Sequence, residues 1–190
     1  MLKNIKIAAI SSDNVLDRIK LCWGHLDNWK ESQIVRKTQV WLEKANEVFK
    51  PTTFIAYVDG SVIGMIEFLP QDLLMRLGLC PCRRDAEHGE TEERYFSGEG
   101  SENYLFISCL FVNKDHQGKG AGKALLKHFL ESEVFKAYGN ARVYVKERDK
   151  SWDSYVHWPA GSKEFYIKNG FVVGRTLDNP LGYILSYKSR

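Results

Sequence analysis

One segment limits what this chain can fold into more than any other: Gln117-Gly118-Lys119-Gly120-Ala121-Gly122-Lys123. It follows an apolar run from Tyr104 to Val112 and precedes a helical pattern from Ala124 to Val134. A strand that turns through glycines into a helix leaves several backbone N–H groups unpaired and aimed one way. Glycines let the backbone approach a ligand and the helix N-terminus favours anions, so the arrangement suits a pyrophosphate. A glycine-rich turn with no ligand is the plain alternative. Two other phosphate loops are excluded by spacing. A Walker A loop would need glycine where Gln117 stands and serine or threonine where Ala124 stands. The dinucleotide fingerprint G-x-G-x-x-G is not met by Gly118-Lys119-Gly120-Ala121-Gly122.

What fits is Gln-x-x-Gly-x-Gly, carried by Gln117, Gly120 and Gly122. With its lead-in, Cys109-Leu110-Phe111-Val112 and then Asn113 to His116, this resembles the acyl-CoA-binding segment of the GCN5-related N-acetyltransferase (GNAT) superfamily. Downstream, Phe165-Tyr166-Ile167-Lys168-Asn169-Gly170-Phe171 looks like the family's Phe-Tyr-x-Lys-x-Gly-Phe ending. The resemblance covers about residues 53 to 190 well and the first fifty loosely. It implies a mixed α/β fold with a mostly antiparallel, centrally splayed sheet of about seven strands and flanking helices. It also implies acetyl-CoA as cosubstrate, with a small amine or a peptide as acceptor. A homodimer follows from family habit alone.

The 190 residues suit one domain, spanning 1–190, with a substantial core. A net charge of +3 is too small to argue for nucleic acid or an anionic membrane. No apolar stretch is long enough to span a bilayer, and the N-terminus lacks the apolar core of a signal peptide, so the protein is expected in the cytoplasm. Four cysteines do not make a disulfide framework.

Periodicity predicts a first strand over 5–10, helix over 14–49 ended by Pro51, and a hairpin of strands 53–58 and 61–68 turning at Asp59-Gly60. Residues 70–103 break the pattern and are read as an inserted loop, holding Cys80-Pro81-Cys82 and the charged run from Arg83 to Arg94. Strands follow at 104–112 and 141–145. A polar, aromatic loop with Trp152, Asp153, Tyr155, His157 and Trp158 precedes a helix from Pro159 to about Asn169. Gly170 is the expected left-handed cap, and strands at 171–173 and 183–187 finish the sheet.

Acetyl transfer to an amine needs a held pyrophosphate, a polarised thioester carbonyl, a base for the amine and an acid for the thiolate. The backbone from Gln117 through Gly118, Lys119, Gly120, Ala121, Gly122 and Lys123 is the candidate for the first. By resemblance, the backbone at Leu110, Phe111 and Val112 pairs with the pantetheine arm like an added strand. Tyr166 aligns with the family's tyrosine and is the candidate acid; a free phenol, with a pKa of about 10, can donate at neutral pH. Its alternative is a packing tyrosine. Glu67 is the candidate base, acting through water; alternation sets it with Met65 and Leu69, opposite Ile66 and Phe68. Its alternative is a solvated strand-end glutamate. Asp153 and His157 are further candidates. The family's asparagine seven residues before its tyrosine is replaced by Pro159, so that contact with the cofactor is lost or replaced.

Cys109 opens a covalent acetyl-enzyme route, set against an inert strand cysteine. Cys80 and Cys82 with His88 fall short of a four-ligand zinc pattern, and no metal is expected. Trp23, His25, Trp29 and Trp41 lie in the segment that shapes acceptor choice in the family, yet name no substrate. The rival readings are an acyl-CoA sensor without turnover, use of a longer acyl chain, and an interaction protein docking through residues 70–103.

Overall fold

The computed structural model describes residues 4–24, 33–78, 80, 103–146, 161–178 and 181–189. Its strands are β1 (Lys6–Ala9), β2 (Thr53–Val58), β3 (Ser61–Pro70), β4 (Leu105–Val112), β5 (Asn140–Lys146), β6 (Val172–Asp178) and β7 (Leu181–Lys188). They form one seven-stranded sheet in the order β1-β2-β3-β4-β5-β7-β6. Every pairing is antiparallel except β4 with β5. A parallel pair needs a crossover, and here it is made by α4 (Ala121–Glu131) and α5 (Glu133–Tyr138). The remaining helices are α1 (Val15–Trp23), α2 (Gln33–Val48), α3 (Gln71–Leu77) and α6 (Lys163–Lys168). The expected mixed α/β sheet with flanking helices is the one observed.

Side-chain alternation divides the core between the two faces of the sheet. Ile66, Phe68, Leu105 and Ile107 pack with Leu125, Leu126 and Phe129 of α4. Ile55, Leu69 and Phe106 point the other way, toward Ile19, Leu42 and Leu73 of α1, α2 and α3. In α2 the buried residues Val35, Thr38, Trp41, Leu42 and Ala45 recur at helical spacing, and one apolar stripe is enough to fix such a helix on a sheet.

Several boundaries differ from the sequence expectation: the helix expected over 14–49 shows α1 ending at Trp23 and α2 beginning at Gln33, and β6 runs to Asp178, past the 171–173 expected. The first part of the segment read as an inserted loop is regular: β3 runs on to Pro70, which pairs with Leu105, and Gln71–Leu77 is helix. Pro70 ends the strand at no cost in ladder bonds and then sits just ahead of α3, where its missing N–H is not needed. The crossover helix breaks at Ser132, whose hydroxyl accepts from Phe135 N at 3.2 Å and so starts α5. The last helix begins at Lys163, capped by Ser162 Oγ accepting from Phe165 N at 3.2 Å. Its end is as expected: Gly170 has φ +92°, with Gly170 N bonded to Ile167 O and Phe171 N to Tyr166 O. That pair of bonds is a Schellman motif.

Candidate active site

The site begins where β4 leaves β5. Their parallel pairing covers only Leu105↔Ala141, Phe106↔Arg142 and Ile107↔Val143, although β4 continues to Val112 and β5 to Lys146. Among the described residues no strand pairs with the β5-facing edge of β4 past Ile107, and there that edge is open. Its other edge stays on β3, with one irregularity: Glu67 faces Cys109 while Phe68 faces Ile107, so Ser108 is the extra residue of β4 at a bulge. Asn113 N donates to Ile63 O at 2.8 Å, which fixes the phase of the ladder. By antiparallel alternation, Phe111 turns its backbone groups to β3, whereas Leu110 and Val112 turn theirs to the open edge. β4 passes β3 closely here: a Cβ built on Gly64 would lie 2.6 Å from Phe111 O.

The open edge leads straight into the glycine turn. A single 3-10 turn, Lys114–His116, follows β4. Gln117 then extends the chain, and its Nε2 donates to Val112 O at 2.8 Å. Gln117 therefore ties the end of β4 to the turn. Gly118 and Gly120 have φ of +69° and +96°, conformations that favour glycine. Gly120 is the residue that caps α4, and the first backbone donor to find a helical acceptor is Ala124, on Gly120 O at 3.0 Å. Among the described residues, the N–H groups from Gly118 to Lys123 have no acceptor. Gly118, Lys119 and Gly120 are exposed, as is Lys123. This is a row of donors at a helix N-terminus with two cations beside it, an anion seat in physical terms.

Tyr166 approaches from α6. It is wholly buried, with its ring edge-on to Phe165 and Phe171 at centroid distances of 5.2 and 5.0 Å. Its neighbour Phe165 faces the first turn of α4, so a Cβ on Gly122 would meet both that ring and Val112 at 3.8 Å. Among the described residues Tyr166 Oη has no hydrogen-bond partner. Burial pushes its pKa well above 10, and Cys109 raises it further. Cys109 itself is buried.

Glu67 is also wholly buried, so the solvated alternative does not hold. Its face is the expected one, shared with Met65 and Leu69. Its Oε2 pairs with Arg18 of α1, the two side chains being 0% and 1% exposed. Its Oε1 accepts from Ser108 Oγ at 2.8 Å. Arg18 Nη2 also donates to Cys80 Sγ at 3.1 Å. Removing one partner of such a pair strands a buried charge, at a cost of about 3–5 kcal/mol. Sequence reasoning missed Arg18 and Ser108. A signal was present: Val15, Arg18, Ile19 and Cys22 share a helical stripe, and a charge on an apolar stripe calls for a buried partner.

His25, Trp29, Cys82, His88, Trp152, Asp153, Tyr155, His157, Trp158 and Pro159 lie outside the described residues. Among the described residues no three metal-ligating side chains cluster, and no helix is long and apolar enough to cross a membrane.

The chain matches the model of the acetyltransferase (GNAT) family over residues 15–171 and belongs to that family. Solved structures agree on the fold. An Arabidopsis thaliana protein in complex with the bisubstrate analogue CoA-Ac-MVNAL is 16% identical with a TM-score of 0.57, over 97% of this chain and 98% of that one. The PaiA N-acetyltransferase from Thermoplasma acidophilum, solved with coenzyme A, is 17% identical with a TM-score of 0.58, over 98% and 99%. An N-acetyltransferase from Staphylococcus aureus Mu50 is 15% identical with a TM-score of 0.60, over 98% and 99%. A sequence comparison with curated proteins finds no match.

Proposed function

We propose that this protein transfers the acetyl group of acetyl-CoA to a primary amine by direct attack in a ternary complex. The observation that carries the reading is the continuity of the open β4 edge with the unpaired amides of Gly118 to Lys123. A ligand with an amide-bearing arm and a pyrophosphate matches that surface. The arm lies along Leu110, Phe111 and Val112, where the outward groups of Leu110 and Val112 supply the pairing. The pyrophosphate sits on the amides of Gly118, Lys119, Gly120, Ala121, Gly122 and Lys123, with Gln117 holding the turn to β4. The amine nitrogen attacks the thioester carbon and the C–S bond breaks. Tyr166 Oη gives its proton to the departing sulfur. Glu67 takes the amine proton through water. The acceptor is a small amine or a peptide amine, and the reading places the protein in the cytoplasm, as a monomer or homodimer, with no metal in the chemistry.

Calorimetric titration of acetyl-CoA into the wild type and Gly120→Glu tests the seat. Glutamate at Gly120 puts a side chain on a left-handed residue and a negative charge against the pyrophosphate. Micromolar binding in the wild type, lost in the variant, is expected. No wild-type binding overturns the reading.

A second reading has an observation behind it: both oxygens of Glu67 are already engaged. That favours an acyl-CoA sensor on the same fold, binding the coenzyme without turnover. Acetyl-CoA binding with no acetyl transfer across amine and peptide panels would support it.

A further inference from the structure

Building on the acetyl-transfer reading, we infer that Arg18 is a positioning residue: through Glu67 and Ser108 it fixes the β4 bulge that presents the open strand edge to the coenzyme. The three side chains form one chain of contacts. Arg18 Nη2 holds Glu67 Oε2. Glu67 Oε1 accepts from Ser108 Oγ at 2.8 Å, and the same hydroxyl lies 3.3 Å from Glu67 O. Ser108 is the extra residue of the bulge and directly follows Ile107, the last residue of β4 paired to β5. The network therefore ends at the point where the sheet parts.

The position matters because strand alternation has a period of two. Losing the bulge shifts β4 by one residue against β3 from Cys109 onward, which turns every later side chain to the other face. Leu110 and Val112 would then turn their backbone groups inward to β3, and Phe111 would face the open edge instead. Cys109 would leave the α1 face, where it packs with Leu21 and Met65. A charge-assisted contact from a rigid helix is a strong way to forbid that slip. Stability alone does not account for the pair, since well-packed apolar residues of similar volume often serve a core as well as a buried ion pair. α1 brings Arg18 to the sheet on the stripe of Val15, Ile19 and Cys22.

The test compares Arg18→Met, Arg18→Lys, Ser108→Ala and, should Arg18→Met not fold, the double variant Arg18→Met/Glu67→Gln, which removes both charges. Leu42→Ala, buried on the same face in α2, is the control for general destabilisation. Acetyl-CoA affinity is measured by calorimetry below the melting temperature of every variant. Arg18→Met, or the double variant in its place, and Ser108→Ala are expected to weaken binding by about tenfold or more, as a misplaced strand edge should. Arg18→Lys should recover most of the affinity. Leu42→Ala should melt earlier yet bind within about twofold of wild type. Wild-type affinity in Arg18→Met or the double variant overturns the inference and leaves Arg18 a strut. If the wild type itself binds no acetyl-CoA, the functional reading fails, and the positioning role is read without ligand. Amide hydrogen exchange from Ser108 to Val112 should then rise in Arg18→Met (or the double variant) and Ser108→Ala while β2 is unchanged. No such local change refutes it.

Discussion

A phenol that serves as an acid must keep its proton at working pH and sit where the proton is wanted. Burial provides the first for Tyr166: removing the ring oxygen from water penalises phenolate, and Cys109 adds to the penalty. The raised value leaves Tyr166 protonated throughout the neutral range. Rate profiles of kcat/KM should therefore show no falling limb from this residue up to about pH 10, the ordinary tyrosine value. Stability follows the same sign. The neutral phenol is favoured by the fold, so its contribution is full below about pH 10 and is lost as pH climbs beyond it. Tyr166→Phe removes one oxygen that has no partner among the described residues. It is expected to lower kcat by about 10²–10⁴-fold while acetyl-CoA affinity stays unchanged, read by steady-state kinetics beside calorimetry. Equal losses in both would make Tyr166 a packing residue. The face of Glu67 was legible from alternation alone. Its partner was not, because Arg18 lies 49 positions away and pairing across such a distance is set by how α1 crosses β3.

Elements with strong local grammar were legible, and those ended by a single side chain were not. The hairpin of β2 and β3, the turn before α4 and the cap at Gly170 each rest on glycines whose backbone conformations few other residues adopt. The starts of α5 and α6 depend instead on Ser132 and Ser162, and a serine flanked by glycine or charged residues resembles any loop serine. The segment after Phe68 misled for a similar reason: Pro70 reads as a break, yet it closes one element and opens the next. If Tyr166 is the acid of the proposed transfer, Ser162 bears on activity, because α6 carries both Tyr166 and Phe165. Ser162→Ala should cost about 1 kcal/mol, the usual value of a lost N-cap, seen as an earlier denaturation midpoint. A helix of six residues has few other means to hold its first turn, so kcat should fall as well. Unchanged midpoint and kcat together would show that tertiary packing alone places α6.

At the scale of the whole molecule, the sheet is two antiparallel units, β1 to β4 and β5 to β7, meeting in a short parallel seam. This arrangement was legible only through family resemblance, since neither periodicity nor composition reports which strand neighbours which. A coenzyme lying in the parted seam contacts the folded state and not the unfolded chain. Acetyl-CoA at a hundred times its dissociation constant should therefore stabilise the fold by about 2.7 kcal/mol, visible as a raised melting temperature in wild type and absent in Gly120→Glu. An unshifted wild-type transition would argue against the seam as the binding place. The same seam has a mechanical meaning. Tension applied across the strands is borne at β4 and β5 by three residue pairs, from Leu105↔Ala141 to Ile107↔Val143, while the flanking antiparallel ladders share it among more. The sheet is weakest along the line where its ligand would be inserted, and a bound arm there would act as the missing stitches of a seam left partly unsewn.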